Sequence, residues 1–293
     1  PTGLEWIRDY LHPLSKLPEL ANCIHEHTTV VACGRGYLLK GDTGGDGVRA
    51  REPFQLLVRT ADGVERFEQA DVVIDTSGVF GNHNFLGQGG IPAIGERGLK
   101  NAIVYTPPDV TGRDRGHYEG KHTIVVGAGF SGATTVVALM ELAEDNPDTR
   151  VTWIVRSERS QPLNVLADDP LPNRRSLSEA ANRLVEHPYA GFQFIPGHVV
   201  TATSQDSTGI KITIRDREGG EQELRGDRLV ANVGYHPDAS IYRQLRVHEC
   251  FGTFGPMAIA ASLMGQEAVD CLAVQAGGAD LLNTPEPNFF ILG

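Results

Sequence analysis

The stretch HTIVVGAGFSGATTVVALMELA, residues 122–143, decides the fold class of this chain. It begins with the β-branched run 123–126, passes through a glycine-rich turn, and continues into a predicted helix at Ala133–Ala143. The sequence DNPD at 145–148 ends the predicted helix, and the apolar segment 151–155 follows as a second strand. A strand, a helix and a second strand within about thirty residues form the β-α-β unit of a parallel sheet.

The turn inside this unit contains Gly127, Gly129 and Gly132 in the spacing GxGxxG. In a dinucleotide-binding unit the first glycine allows a tight turn, and the second lets the backbone approach a pyrophosphate. The third lets the helix pack closely on the strand. The first N–H groups of the helix, around Phe130 and Ser131, point at the phosphates. Because the motif has its strand and its helix, it predicts a Rossmann-type NAD(P)-binding domain with these five residues at the cofactor.

Residues 129–133, GFSGA, also resemble the G-x-S-x-G turn of hydrolases, in which a serine nucleophile stands between a strand and a helix. Ala133 replaces the last glycine of that motif, and Gly127 has no role in it. The sequence therefore favours nucleotide binding over a role of Ser131 as a nucleophile.

The nucleotide preference depends on residues 151–159, VTWIVRSER, at the end of the second strand. An NAD site usually places Asp or Glu there to accept from the ribose 2′-hydroxyl, whereas an NADP site has Arg near the 2′-phosphate. Arg156 stands at this position, and a guanidinium binds a phosphate through paired hydrogen bonds. Glu158 could still serve NAD. The sequence favours NADPH over NADH, with Arg156, Ser157 and Arg159 as binding residues.

Composition argues against several other classes of partner. The 293 residues carry a net charge of −11, and 40% of them are hydrophobic. An acidic chain lacks the basic surface that nucleic acid or an anionic membrane requires. No apolar run approaches the roughly 20 residues of a membrane helix, and no secretory signal pattern is present. We therefore expect a cytoplasmic protein that has neither nucleic acid nor a membrane as its partner, and the sequence leaves its oligomeric state open.

Cysteine and histidine spacing predicts no metal site. The four cysteines are widely scattered, with neither a CxxC pair nor the spacing of a zinc site: Cys23, Cys33, Cys250 and Cys271. His25 and His27 flank Glu26, but no third ligand is close in sequence. The same inspection assigns no catalytic residue.

Hydrophobic periodicity predicts the other elements. The remaining predicted strands are 28–32, 54–59, 71–75, 192–195, 199–203, 210–214 and 229–233, and the remaining helices lie in 1–28 and at 176–187, 257–264 and 268–275. Residues 217–220 predict a hairpin turn, and 41–47 a mobile loop. Residues 76–120 have little periodicity and are interpreted as a long connection of the kind that is often functional.

Three further segments resemble elements of a known superfamily. Residues 71–78, DVVIDTSG, resemble the strand and turn at which two-dinucleotide flavoproteins cross from the FAD domain into the NADPH domain. Residues 232–238, NVGYHPD, resemble the return crossing, and 285–293, PEPNFFILG, resemble the strand that leads to the turn beside the flavin. The order is similar to that of the flavin-containing monooxygenase-like branch of the pyridine nucleotide–disulfide oxidoreductase superfamily, over nearly all of the chain.

The resemblance implies an α/β protein in which the Rossmann-type NAD(P)-binding domain, residues 120–234, is inserted in a partial FAD-binding domain of three-layer ββα architecture. Residues 1–119, with the connection, and residues 235–293 belong to the FAD-binding domain in this interpretation. FAD and NADP are the implied cofactors. The further cofactor-binding residues that these segments suggest are Val31, Thr76, Ser77, Gly78 and Gly234.

The resemblance also predicts that the chain is a fragment, because the superfamily's first GxGxxG would precede Pro1 and the turn beside the flavin would follow Gly293. The implied activity is hydride transfer from NADPH to the flavin, followed by oxidation of a small molecule as in monooxygenases. Two alternatives stay open. One is a thiol–disulfide reductase whose dithiol lies outside these residues, and the other is a non-catalytic NADP(H)-binding sensor. The substrate and the acceptor that reoxidises the flavin are unassigned.

Overall fold

The computed structural model describes residues 3–42, 46–99, 101–187, 189–264 and 277–292. The strands are β1 (Thr28–Arg35), β2 (Phe54–Thr60), β3 (Glu65–Ala70), β4 (Val73–Asp75), β5 (Ile103–Val104), β6 (His122–Val126), β7 (Arg150–Ile154), β8 (Phe192–Ile195), β9 (Val199–Asp206), β10 (Gly209–Arg215), β11 (Glu221–Gly226), β12 (Arg228–Ala231) and β13 (Phe289–Ile291). The helices are α1 (Gly3–Trp6), α2 (His12–Ser15), α3 (Pro18–Ala21), α4 (Asp46–Arg51), α5 (Arg115–Tyr118), α6 (Phe130–Asp145), α7 (Pro172–Glu186) and α8 (Met257–Met264). The described residues also contain a π-helical turn at Ile7–Leu11 and 3₁₀ turns at Gln88–Gly90, Glu96–Gly98 and Ala279–Leu282.

The chain divides into two compact units by its internal contacts. The first unit combines residues 1–78 with 237–293, and the second is the continuous stretch 79–236. The connection at 79–119, which the sequence analysis grouped with the first part of the chain, belongs to the second unit. The reason is that β5 pairs with β12 inside the central sheet, and backbone hydrogen bonds join Ile94 to Thr201 and Thr203 on β9.

The second unit is built on a five-stranded parallel sheet in the order β5-β12-β6-β7-β8. From β6 the chain winds through α6 to β7 and through α7 to β8, and β12 returns to the opposite side of β6. The chain direction across the sheet therefore reverses between β6 and β12. In open α/β sheets this reversal leaves a crevice at the carboxyl ends of the strands, where ligands bind.

Both faces of this sheet are covered, which explains why its strands are continuous apolar runs. On one face, α6 and α7 pack on a core that includes Val125, Leu139 and the fully buried Trp153. On the other face, the antiparallel sheet β11-β10-β9 contributes Ile210 and Ile212 to a second core. Helices, a parallel sheet and an antiparallel sheet form three layers, and the predicted α/β fold class is confirmed.

The first unit contains the antiparallel sheet β1-β2-β3 and the parallel pair of β4 with β13. Its core consists of Cys33, Phe54, Tyr242, Leu245 and Phe289, so segments distant in sequence meet in one cluster. Among the described residues, no helix has the length and apolar character needed to cross a bilayer.

Three strands and two helices were not predicted: β3, β5, β11, α4 and α5. Strand β5 and helix α5 lie within residues 76–120, which were interpreted as a long connection. Strands β3 and β11 were missed because ERFEQA and EQELRG are mostly polar, and both lie at the edges of their sheets. Edge strands are held by cross-strand hydrogen bonds more than by an apolar pattern. Helix α4 begins within the predicted loop 41–47. The predicted helix at 268–275 lies outside the described residues.

A buried cluster of charged groups ties the first unit together. The Glu286 carboxylate accepts hydrogen bonds of 2.8 Å from Arg35 Nε, from Arg49 Nη2 and from the backbone N–H of Arg246. The side chains of Arg35, Arg49 and Glu286 are 0–1% exposed, and the Arg35 guanidinium lies 3.6 Å from the centre of the Phe54 ring. One carboxylate thus compensates two guanidinium groups that have no access to solvent.

We expect Glu286→Gln to lower the free energy of unfolding by about 3–5 kcal/mol, because it removes one partner of a buried ion pair and leaves the other charges uncompensated. Urea titration followed by circular dichroism measures this change. Glu65→Gln is the control, since Glu65 pairs with Arg59 at the surface with 44% of its side chain exposed. This exposed substitution should leave the midpoint almost unchanged.

The same cluster should make stability depend on pH. Burial by itself raises the pKa of Glu286, but hydrogen bonds from Arg49, a backbone N–H and Arg35 hold it below the usual value. A lowered pKa in the folded state stabilises the fold above the unfolded-state value, about 4.3, and this contribution is lost as the pH falls through the folded pKa. The stability difference between wild type and Glu286→Gln should therefore shrink below about pH 4. If the difference in unfolding free energy between wild type and Glu286→Gln were the same at pH 7 and at pH 3, Glu286 would not have a lowered pKa in the folded state.

Candidate functional site

The turn after β6 brings three backbone segments into close approach. Gly127 has a φ of +129°, and a Cβ built on it would lie 2.1 Å from the carbonyl oxygen of Asn232, just after β12. Only glycine satisfies both the positive φ and this spacing. The Asn232 N–H in turn donates to the carbonyl of Val126, at 2.8 Å. The first glycine of the motif is therefore required where the ends of β6 and β12 meet.

Gly132 provides the close packing of helix on turn. A Cβ at this position would lie 2.4 Å from the carbonyl oxygen of Gly127. The same carbonyl accepts a hydrogen bond of 2.8 Å from Nε1 of the buried Trp153, which fixes the turn from the β7 side. The first turn of α6 is thereby held against the carboxyl end of β6.

Gly129 differs from the other two glycines because its surroundings are open. A Cβ built on Gly129 would meet no atom within 4 Å. Gly129 is the N-cap residue of the 16-residue helix α6, and no side chain caps this end. The first N–H groups of a helix lack partners within the helix and attract anions. Phe130 is 46% exposed beside Gly129, so this end of α6 could receive a phosphate group.

The helix is also anchored to the return strand. The hydroxyl of Thr135 lies 3.0 Å from the carbonyl oxygen of Ser131 and 2.9 Å from Oδ1 of Asn232. Thr135 and Asn232 are 1% and 7% exposed, so this contact lies in the interior. The backbone that surrounds the candidate phosphate site is therefore fixed from β6, β7, β12 and α6.

Arg156 lies at the same edge of the sheet as the glycine-rich turn. Strands β6 and β7 are adjacent and parallel, with Val126 opposite Ile154, so the residues that follow them share one edge. Arg156 lines a cavity of about 490 Å³ between this edge and the turn that joins β10 to β11. The other lining residues are Gln88, Gly89, Gly197, Val199, Arg215, Asp216, Arg217, Glu218 and Gly219.

The predicted residues Ser157 and Arg159 do not line this cavity. The Ser157 side chain accepts a hydrogen bond of 3.2 Å from the backbone N–H of Arg159, within the loop after β7. Arg159 is exposed. The structure thus places Arg156 at the cavity and leaves Ser157 and Arg159 in the adjoining loop.

The β10–β11 turn, predicted as a hairpin at 217–220, forms the opposite wall of the cavity, and this role was not predicted from the sequence. Arg217 makes an ion pair of 2.9 Å with Glu158, and Arg215 donates to the side-chain oxygen of Gln88. Among the described residues, the Arg156 guanidinium has no hydrogen-bond or ion-pair partner. Arg215 and Arg217, which flank Asp216 in the sequence, could have indicated an anion site at this turn. Their proximity to the end of β7 arises only when the hairpin folds, so the sequence does not show it.

The residues predicted to bind FAD fall in different parts of the structure. Thr76 and Ser77 are exposed immediately after β4, and Gly78 follows with a φ of +68°. Val31 lies on β1, in another sheet of the same unit, where the register with β2 shifts between Val30 and Ala32. The backbone N–H of Ser77 donates to the Asp75 carboxylate at 2.9 Å.

Gly234 belongs to the second unit, where it is exposed with a φ of +89°. Its carbonyl accepts from the backbone N–H of Asn84 at 3.0 Å. Across the described part of the chain, no group of three or more His, Cys, Asp or Glu residues is arranged to hold a metal ion.

No protein-family model and no curated protein matches the sequence. Solved structures do match. A bacillithiol disulfide reductase from Bacillus cereus has a TM-score of 0.62 and 17% identity, covering 98% of this chain and 67% of its own. An ornithine N-hydroxylase from Kutzneria sp. 744, with reduced FAD, NADP⁺ and L-ornithine, has a TM-score of 0.56 and 18% identity, covering 86% and 64%. A thioredoxin reductase from T. acidophilum has a TM-score of 0.55 and 19% identity, covering 96% and 71%.

This chain therefore spans about two thirds of the length of the structures that it resembles. Disulfide reductases and an N-hydroxylase share the same arrangement, so the likeness concerns the fold rather than one reaction. The fold implied by the resemblance of residues 71–78, 232–238 and 285–293 is confirmed. The chain is similar in fold to these disulfide reductase, N-hydroxylase and thioredoxin reductase structures.

Proposed function

We propose that this protein is an NADPH-dependent flavoprotein oxidoreductase. The observation that carries the proposal is a pair of features at one edge of the sheet: the open Gly129 at the uncapped N-terminus of α6, and the unpaired Arg156 in a cavity after β7. A dinucleotide needs these two features together, because its pyrophosphate and its adenosine ribose bind at the ends of adjacent strands.

The turn after β6 and Arg156 would each bind a different phosphate group of NADPH. The pyrophosphate would be surrounded by Gly127, Gly129, Phe130, Ser131 and Gly132. Of the three motif glycines, Gly129 is the one with open space beside its Cα, so a ligand can approach the backbone there. Arg156 would contact the 2′-phosphate, because its guanidinium is free of partners among the described residues and lines the adjoining cavity. When bound, the nicotinamide supplies a hydride and FAD accepts it. We propose that FAD binds at Thr76–Gly78 and Val31 of the first unit, on the resemblance.

Within this class we propose a monooxygenase-like reaction with a small-molecule substrate. The sequence contains no CxxC pair that could serve as a redox dithiol. The buried Cys33 is also a poor nucleophile, because burial raises the pKa of its thiol to about 12 and the thiolate is the reactive form. The ornithine N-hydroxylase supports this proposal through its shared fold.

A disulfide reductase is the second candidate, and it is favoured by the bacillithiol disulfide reductase, which has the same fold. The two candidates differ in where electrons go. A monooxygenase-like enzyme consumes oxygen as NADPH is oxidised, whereas a disulfide reductase oxidises NADPH only when a disulfide is supplied. Parallel recording of NADPH absorbance and dissolved oxygen, with and without a low-molecular-weight disulfide, decides between them. NADPH oxidation that requires the disulfide and spares oxygen would overturn the first candidate.

Gly129→Ala should raise the NADPH dissociation constant at least about tenfold, because the added methyl group occupies the space through which the pyrophosphate approaches the backbone. Its melting temperature should stay near that of wild type, since the methyl meets no protein atom within 4 Å. Gly132→Ala is the contrasting variant, because its methyl would lie 2.4 Å from the Gly127 carbonyl and should destabilise the fold. Calorimetric titration measures the NADPH dissociation constant, and thermal unfolding measures the melting temperature. Unchanged NADPH affinity in a folded Gly129→Ala variant would show that the pyrophosphate does not bind at Gly129.

Arg156→Ala should raise the NADPH dissociation constant about ten- to a hundredfold and leave that of NADH nearly unchanged, because the charge-assisted contact involves only the 2′-phosphate. Arg159→Ala should have a smaller effect, since Arg159 lies outside the cavity. The NADPH effect should shrink as salt is added, because the site is exposed. If Arg156→Ala weakened the binding of NADPH and NADH equally, the contact with the adenosine ribose would be assigned to Glu158 instead.

A further inference from the structure

The cavity at the end of β7 has a balanced set of charges, so each ion pair there affects what can bind. Three arginines line it, and two of its lining residues are acidic: Arg156, Arg215, Arg217, Asp216 and Glu218. Glu158 adds a third carboxylate through its ion pair with Arg217. Without Arg217, two guanidinium groups would face three carboxylates.

Most of these groups are engaged within the protein. The Asp216 carboxylate caps its own turn, accepting from the backbone N–H groups of Glu218 at 2.9 Å and Gly220 at 2.8 Å. The Arg215 guanidinium donates to the Gln88 amide oxygen. Arg217 reaches from the hairpin turn across to the loop after β7 and pairs with Glu158 at 2.9 Å.

Glu158 lies in the loop that also carries Arg156. It follows Arg156 by two residues, and its stem lies against the turn between β8 and β9. At Gly197 in that turn, with a φ of +72°, a Cβ would lie 3.0 Å from Cγ of Glu158. A free carboxylate at the end of this strand accepts the ribose hydroxyls of NAD and repels a 2′-phosphate.

The Glu158–Arg217 ion pair contributes little to folding, because the two side chains are 59% and 75% exposed and such pairs are weak in water. Its effect on a charged ligand is larger, since a neutralised carboxylate no longer repels a phosphate dianion at the adjacent arginine.

We propose that Arg217 determines the preference of this site for a 2′-phosphorylated dinucleotide by holding and neutralising Glu158. Arg217 is thus a positioning residue that acts through Glu158, while Arg156 contacts the phosphate. The inference rests on the proposed binding of NADPH and adds the hairpin turn to the residues that select the nucleotide.

Titration of NADP⁺ and NAD⁺ by calorimetry into four proteins tests this: wild type, Arg217→Gln, Glu158→Gln and the double variant. Arg217→Gln should lower the ratio of NADP⁺ to NAD⁺ affinity about five- to tenfold, because the released carboxylate repels the phosphate and accepts from ribose hydroxyls. The double variant should return the ratio to within about twofold of wild type, because no carboxylate remains to be neutralised. Arg217→Lys should retain the wild-type ratio, since it keeps the charge.

Two results would overturn the inference. An unchanged ratio in Arg217→Gln would show that the ion pair has no part in selection. A double variant as impaired as Arg217→Gln would show that Arg217 contacts the phosphate directly. Arg225→Gln is the control, because Arg225 makes a 2.8 Å ion pair with Asp206 that is also exposed to solvent but lies outside the cavity. It should leave the ratio unchanged.

These outcomes separate the inference from the proposed function. Wild-type protein that binds neither nucleotide, or binds both without dependence on Arg156, overturns both. If NADP⁺ binding depends on Arg156 but the ratio of NADP⁺ to NAD⁺ affinity does not change when Arg217 is replaced, only the inference about Arg217 is overturned. Thermal unfolding of each variant shows that the ratio is measured on folded protein.

Discussion

The close approach of the backbone at Gly127 is the constraint on which the candidate site depends. The carbonyl of Asn232 comes so near that only a glycine fits, and the carbonyl of Gly127 is in turn held by Trp153 and approached by Gly132. These contacts place the ends of β6, β7 and β12 and the start of α6 around one point. The open space at Gly129 results from this arrangement, because the surrounding segments are fixed by contacts that do not involve Gly129 itself.

The charged groups near the end of β7 are the second feature of the candidate site. Near the end of β7 the described side chains pair with one another in such a way that Arg156 stays without a partner while Glu158 is neutralised. A site for a doubly charged phosphate requires both conditions, since an arginine beside a free carboxylate would be compensated within the protein. Because these groups are exposed, their pairing contributes little to stability, and we propose that it serves recognition.

In the first unit, by contrast, the charged groups are buried and contribute to stability. Glu286 joins Arg35, Arg49 and the backbone of Arg246 in an interior without solvent access, where removal of one group leaves the others uncompensated. The residues involved come from β1, from α4 and from the segment before β13, so the cluster connects sequence positions more than 200 apart. Such a cluster specifies how those segments are joined, which hydrophobic packing alone specifies less strictly.

The sequence by itself determined the β-α-β unit, the three glycines of its turn and the position of Arg156, because these depend on local backbone requirements and on periodicity within one stretch. It did not reveal β3 and β11, whose polar residues form strands only through cross-strand pairing. The buried cluster at Glu286 and the pairing of Arg217 with Glu158 were decided by the tertiary structure alone. Each joins residues that are distant in the chain, and no local pattern records which charged side chains meet when the strands and turns pack together.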